Sequence, residues 1–385
     1  MIKKNTAMKK LFGILSVMLC ATTMSYAQAD GSAALQSSDV EMTWNGAVKE
    51  KNVIKSGSCG ANVKYELYDD YTLRIYGSGE MSKFLYWGDG FLHDTSVPWI
   101  YEIKKIKSVV IEDGVTNIGD ESFNDCSALT KVSIPNSVKS IGYAAFRECY
   151  ALTKVTIPNS VNHIAECAFY GCRSLAEVNL PNGITSIEND VFNGCAFTEL
   201  KIPSSVTSIG ECAFCSCPFT EITIPSNVKS VGKSAFYDCP LEKVNISNGV
   251  TSIGDYALSG YNMEYVKIGK DVTKIGDQVF PQYYDENLVI EFTSETPATL
   301  YSVESFGFLC TIYVPENALE TYRNAEFWKD HADQILPKEQ ATGISSVGSE
   351  QSEKETAIYD LQGRKVTELQ PNGMYIVNGK KIVMK

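Results

Sequence analysis

An aliphatic residue followed five positions later by a large apolar one recurs eight times between Ile118 and Phe280. The pairs are Ile118/Phe123, Ile141/Phe146, Ile164/Phe169, Ile187/Phe192, Ile209/Phe214, Val231/Phe236, Ile253/Leu258 and Ile275/Phe280, spaced by 23 residues at first and by 22 later. A chain with this period does not close one round core. Each unit buries its apolar face against its neighbours, so the core grows lengthwise and length ceases to count domains. The repeat predicts a solenoid and turns the functional expectation towards binding.

In the unit Leu152 to Cys172, apolar and polar residues alternate over Leu152 to Ile157 and over Val161 to Ile164, which predicts two short strands. Pro135, Pro158, Pro181, Pro203 and Pro225 close the first stretch in successive units. Proline cannot donate to a ladder, so each marks a strand end, and the Asn, Ser and Gly residues after it make the turn. The stretch between the Ile and the Cys, such as Gly142 to Phe146, is compact and Ala-rich and predicts a short helical or 3₁₀ turn. Coils stacked about 4.8 Å apart place phenylalanines in one core column and aliphatics in others, with Ser or Thr on the exposed face of the second sheet. The period drops to 22 where the turn after the cysteine loses a residue, as in Cys195-Ala-Phe197.

Cys126, Cys149, Cys172, Cys195, Cys217 and Cys239 share one column. The coil spacing falls within the Cα range of a disulfide, so distance alone does not exclude pairing. A slot that is Cys in six coils and then Tyr261 and Tyr283 behaves as core, where a free thiol packs like a small hydrophobe. Cys167 and Cys212 share another column but stand two coils apart, roughly 10 Å, too far to pair.

These residues resemble the BspA-like leucine-rich repeats, whose pattern Leu-x-x-Ile-x-Ile-Pro-x-x-Val-x-x-Ile-Gly-x-x-Ala-Phe-x-x-Cys is matched almost residue for residue by Leu129 to Cys149. The resemblance implies a mainly β fold: a right-handed leucine-rich repeat solenoid of about eight coils of 22 to 23 residues, with short parallel strands, short helical turns and a cap at each end. It also implies a bacterial secreted or cell-surface protein that binds host or neighbouring-cell macromolecules, with adhesion as the usual role. On this reading residues 28–104 form an N-terminal β-rich cap, 105–284 the solenoid and 285–337 a C-terminal cap. Residues 338–356, rich in Glu, Gln, Ser, Gly and Thr, read as a solvated linker. Residues 357–385 read as short strands joined by Gly turns. They resemble the C-terminal sorting domain of the type IX secretion system of Bacteroidetes, which implies export across the outer membrane; the alternative is a small accessory β module.

Residues 1–27 have a basic start, an apolar run from Leu11 to Ala21 and a small-residue exit at Ser25-Tyr26-Ala27. This reads as a secretory signal peptide cleaved near Ala27, the run being too short to span a bilayer. Lipidation at Cys20 is the rival, set back by Leu19 where a small residue is usual. Removing four lysines and no acids takes the formal charge from −12 to −16. An acidic chain has no electrostatic footprint for nucleic acid, and no later apolar run reaches the ~20 residues of a membrane helix. A monomer is expected.

No catalytic or metal site and no cofactor is expected. The three histidines His93, His163 and His331 are scattered, and no nucleophile motif, metal-ligand spacing or phosphate-binding Gly loop is present. Two ligand-binding surfaces compete. One is the solvent face of the first sheet, where alternate residues point outward: Lys131/Ser133, Lys154/Thr156, Glu177/Asn179, Glu199/Lys201, Glu221/Thr223 and Lys243/Asn245. These read equally well as ordinary solubilising residues. The other is the segment Phe84 to His93 with Trp87 at its centre, either an exposed contact patch or packing over the first coil. The partner is an extracellular protein or glycan; a structural surface spacer with no ligand is the third reading.

Overall fold

The computed structural model describes residues 51–84, 97–281, 288–306 and 310–338, and the backbone alone of Val40–Met42, Val48–Glu50, Ile358–Asp360, Met374–Val377 and Lys380–Val383. The chain is a mainly β solenoid of about ten turns with few helices. Most turns give one strand to a first sheet and a two-residue strand to a second. A turn flank closes the coil. In the first sheet, strands such as Glu221–Ile224, Lys243–Ile246 and Tyr265–Ile268 pair in parallel, like above like: Ile222 opposite Val244 and Val244 opposite Val266. The second runs through Ser186–Ile187, Ser208–Ile209, Ser230–Val231, Ser252–Ile253 and Lys274–Ile275, all parallel.

The stacking extends beyond the eight units visible in the sequence. At the near end Thr72–Gly77, last strand of an antiparallel meander with Val53–Ser58 and Val63–Tyr68, pairs in parallel with Ser108–Ile111. At the far end Val289–Phe292, Thr311–Val314 and Ile335–Pro337 continue the first sheet, and Thr299–Leu300 the second. The phenylalanine column runs through both ends. Trp99 stacks on Phe123 with centroids 5.8 Å apart, and Phe280 on Phe306 at 5.5 Å. Between them Phe146, Phe169 and Phe192 follow at 5.2 to 5.6 Å, nearly parallel. Such offset stacks contribute about 0.5–1.5 kcal/mol per pair beyond area burial. Phe292, Tyr322 and Trp328 seal the far end, with Tyr322 and Trp328 4.8 Å apart edge to face.

The Ala-rich stretch makes single i→i+3 turns rather than a continuous helix, with left-handed backbone at one residue in each, Glu121, Ala144, Cys167, Asp190, Cys212, Ser234, Tyr256 and Gln278. Successive N–H groups point alternately. In one coil the N–H groups of Ala144, Phe146 and Glu148 donate to the carbonyls of Glu166, Ala168 and Tyr170 in the next, at 2.7 to 3.1 Å. Those of Ala145, Arg147 and Cys149 donate three residues back within their own coil. A left-handed non-glycine residue costs roughly 1–2 kcal/mol; here the inter-coil bonds offset it.

The sheets are less regular than this flank. In the second, His163–Ile164 and Ser186–Ile187 do not pair. The column just after the aliphatic residue marks the place: a Cβ at Gly232 would lie 2.6 Å from the Gly210 carbonyl carbon, so a side chain there crowds the preceding coil, although the single methyl of Ala165 is accommodated in a coil that still pairs. Glu188 occupies the same column at the interruption. The first sheet is broken between Lys131–Ser133 and Lys154–Thr156, and again around Glu199, where no strand forms.

Gly232→Ala is expected to destabilise the solenoid by about 1–3 kcal/mol, the usual cost of overpacking, seen as a lower urea midpoint. An unchanged midpoint shows that the coils can separate freely at this column.

Candidate functional site

All twelve outward residues predicted on the first sheet are exposed on one face: Lys131, Ser133, Lys154, Thr156, Glu177, Asn179, Glu199, Lys201, Glu221, Thr223, Lys243 and Asn245. Parallel register sets eight of them in two rows, Lys154 opposite Glu177 and Glu221 opposite Lys243 in one, Thr156 opposite Asn179 and Thr223 opposite Asn245 in the other. The opposed charges pair: the Lys154 ammonium bridges Glu177, and Lys243 bridges Glu221 at 3.1 Å. Pairs this exposed add little stability, though each sets a lysine against its carboxylate. Glu199 and Lys201, in the coil between, have no ion-pair partner among the described residues.

Asn179 is more committed than its exposure suggests. Its amide donates to the Ile157 carbonyl at 2.7 Å and accepts from the Ile157 N–H at 3.0 Å, standing in for a strand pair. Tyr265 and Lys267 extend the row one coil further, opposite Lys243 and Asn245, and were absent from the predicted set. The same alternation read one unit past Asn245 points to them. Tyr265 donates to Glu291 at 2.7 Å, and burial followed by this bond pushes its phenol pKa up. With Glu221, Thr223, Lys243 and Asn245 these two line an opening of about 390 Å³; a second, of about 580 Å³, lies over Lys154, Thr156, Glu177, Asn179, Thr198 and Glu199. The face is thus shallow, polar and of mixed charge. It fits a macromolecular surface better than a small molecule, which needs an enclosing apolar cleft.

Trp87, and with it residues 85–93, lies outside the described residues. Phe84 at the start of that segment is buried against Trp99, 5.9 Å between centroids. His163 is exposed on the second sheet. His331 is buried, its ring nitrogens 2.8 Å from the Val303 carbonyl and from Gln334 Oε1, a structural placement. Among the described residues no group of three or more His, Cys, Asp or Glu is arranged to hold a metal. No described helix is long and apolar enough to cross a membrane.

The cysteine column is core. Cys126, Cys149, Cys172, Cys195, Cys217 and Cys239 are buried and unpaired. Each thiol from Cys149 onward donates to the carbonyl of a phenylalanine one coil earlier: Cys149 to Phe123 at 3.3 Å, Cys172 to Phe146 at 3.0 Å, and so on to Cys239 and Phe214 at 3.2 Å. Burial pushes the thiols of Cys126, Cys149 and Cys195 well up and that of Cys217 to about 12, so they remain protonated and inert at neutral pH.

The model of the BspA type leucine rich repeat region matches residues 100–218 and 207–320, with six copies, over more than half of the chain. The chain belongs to the BspA-type leucine-rich repeat family. This membership supports a protein-binding repeat protein. Among solved structures, a leucine rich cell surface protein from Faecalibacterium prausnitzii is 20% identical, with 74% of this chain and 94% of that one covered and a TM-score of 0.34. A leucine-rich repeat protein from Bacteroides ovatus is 18% identical, with 72% and 98% covered and a TM-score of 0.32. That from T. pallidum is 25% identical, with 55% and 84% covered and a TM-score of 0.32. No curated protein matches.

Thiol titration of the native protein over residues 28–385 is expected to read the three half-buried cysteines Cys167, Cys212 and Cys215, and titration in denaturant without reductant to read all eleven. Fewer than about nine in denaturant overturns the free-thiol column, since each disulfide removes two.

Proposed function

We propose that this BspA-type protein is exported and works outside the cell, docking a macromolecule on the exposed face of its first sheet, with no catalysis and no cofactor. The carrying observation is the array on that face: exposed polar and charged residues from six consecutive coils lie along one side of the solenoid, those of four coils aligned in two rows by parallel register. A signal peptide over residues 1–27 and a linker over 338–356 fit an exported array followed by the three-stranded antiparallel sheet of Ile358–Asp360, Met374–Val377 and Lys380–Val383. That sheet is consistent with a sorting or accessory module. Interaction with host or neighbouring-cell protein, as in adhesion, is the role this arrangement suits. The rigid solenoid costs little conformational entropy on binding, so modest contacts along its length add up.

A glycan ligand is the second reading, favoured by the exposed tyrosines Tyr143, Tyr237 and Tyr261 on the turn flank, since aromatic rings there offer flat apolar faces beside water.

The test is pull-down of host matrix proteins, glycans and bacterial surface extracts by the mature chain and by a Glu177→Lys, Glu199→Lys, Glu221→Lys variant. Reversal of three aligned carboxylates is expected to change partner affinity about tenfold or more, ~1.4 kcal/mol. Unchanged binding removes this face, and loss on replacing Tyr143, Tyr237 and Tyr261 by Ala moves the site to the turn flank.

A further inference from the structure

The binding face is interrupted twice, but only one coil between its first and last strands gives it no strand at all. Among the described residues, Thr198 to Ile202 belong to no strand, and none of their backbone N–H or C=O groups makes a hydrogen bond. The strands on either side, Glu177–Asn179 and Glu221–Ile224, are each paired only away from it. Solvent reaches through this opening to side chains of the core column. Val178 and Leu200 are half-buried, as is Val132 at the other break, whereas Val155, Ile222 and Val244 in the same column are buried.

The sequence varies at this point in a way that accounts for the opening. The column Leu129, Leu152, Leu175 becomes Phe197 and Phe219 before returning to Leu241. Both rings are fully buried at the foot of the unpaired segment and of the next strand, edge-on to Phe192 at 5.4 Å and to Phe214 at 5.9 Å. A ring in a leucine-sized slot displaces its neighbours rather than compressing them. The second sheet and the turn flank stay bonded across these same coils. The separation is therefore confined to the side that carries the face.

We propose that this opening is the anchoring subsite of the binding face, and that its occupant is an extended polypeptide segment carrying a lysine or arginine beside an aliphatic residue. The inference rests on the assignment of the first-sheet face as the docking surface. Three observations select this chemistry. Unpaired backbone donors and acceptors offer a polypeptide the hydrogen bonds of a strand. Half-buried Val178 and Leu200 offer an apolar floor for one aliphatic side chain. Glu199 at the rim lacks an ion-pair partner, while its neighbours Glu177 and Glu221 are each held by a lysine. No aromatic residue lines the opening, which removes the stacking platform a sugar ring uses.

Amide hydrogen exchange of the mature chain tests this in two stages. In the free protein, the amides of residues 198–202 are expected to exchange about tenfold or more faster than those of Glu221–Ile224. Equal protection means that the sheet is closed there and overturns the subsite. Three octapeptides are then added at equal concentration: alternating Lys-Val, alternating Glu-Val and alternating Lys-Ser. Lys-Val alone is expected to slow these amides, and Glu199→Lys to abolish the effect while Lys139→Glu, beside the second sheet, leaves it. Slowing by all three peptides, by none, or equally by a chitin oligosaccharide overturns the proposal. If the peptides fail while Glu177→Lys with Glu221→Lys still weakens macromolecular pull-down, the subsite falls and the face stands.

Discussion

The inter-coil hydrogen bonds of the turn flank hold this molecule in register. Both sheets are interrupted, yet the flank is bonded at every step from Glu121, whose N–H meets the Tyr143 carbonyl, to Leu258, whose N–H meets that of Val279. Three such bonds per coil, two at the last step, fix the height of each coil above the last. That height then sets the ring spacing of the phenylalanine column and the reach of each buried thiol to the carbonyl below it. Left-handed backbone at Glu121, Ala144 or Cys167 is unfavourable in isolation. It persists because straightening one residue would break a bond to the neighbouring coil and turn a core phenylalanine outward. The strain and the stacking are thus one constraint seen locally and along the axis.

Much of this was legible in the sequence, and the parts that were not share a cause. Strand position and facing followed from alternation, and the prolines at 135, 158, 181, 203 and 225 marked where strands stop. The cysteine column read correctly as core because a recurring small apolar slot is a packing signal. The turn conformation was hidden because positive φ at Ala144 or Cys212 leaves no glycine in the sequence; only contact with the next coil stabilises it. The outer coils were hidden too, since Trp99 and Phe306 continue the phenylalanine column at spacings that break the 22- to 23-residue period. Local pattern finds what each coil does alone. Whatever depends on the fit between coils needs the structure.

The candidate site divides in the same way. Twelve outward residues followed from period-two alternation, and all twelve are exposed on one face. Their consequences did not follow: Asn179 mends a strand pair, Lys154 and Lys243 each neutralise a carboxylate, and Glu199 is left without a counterion. Glu177, Glu199 and Glu221 place carboxylates in three successive coils. The register leaves only the middle one without a lysine opposite, because cross-strand pairing engages those on both sides.

A repeat protein meets two demands that pull apart. Its core needs every coil alike, since stacking rewards identical columns, whereas recognition needs at least one coil to differ. Nearest-neighbour architecture reconciles them, because a local defect costs only its two interfaces and does not propagate. Here the deviation lies in buried positions, Phe197 and Phe219 in a leucine column, rather than in the exposed residues where specificity is usually sought. The bulk beneath the sheet alters the backbone above it. Diversity in such an array therefore has two sources, the side chains that face the partner and the core residues that decide whether the strand beneath them is closed.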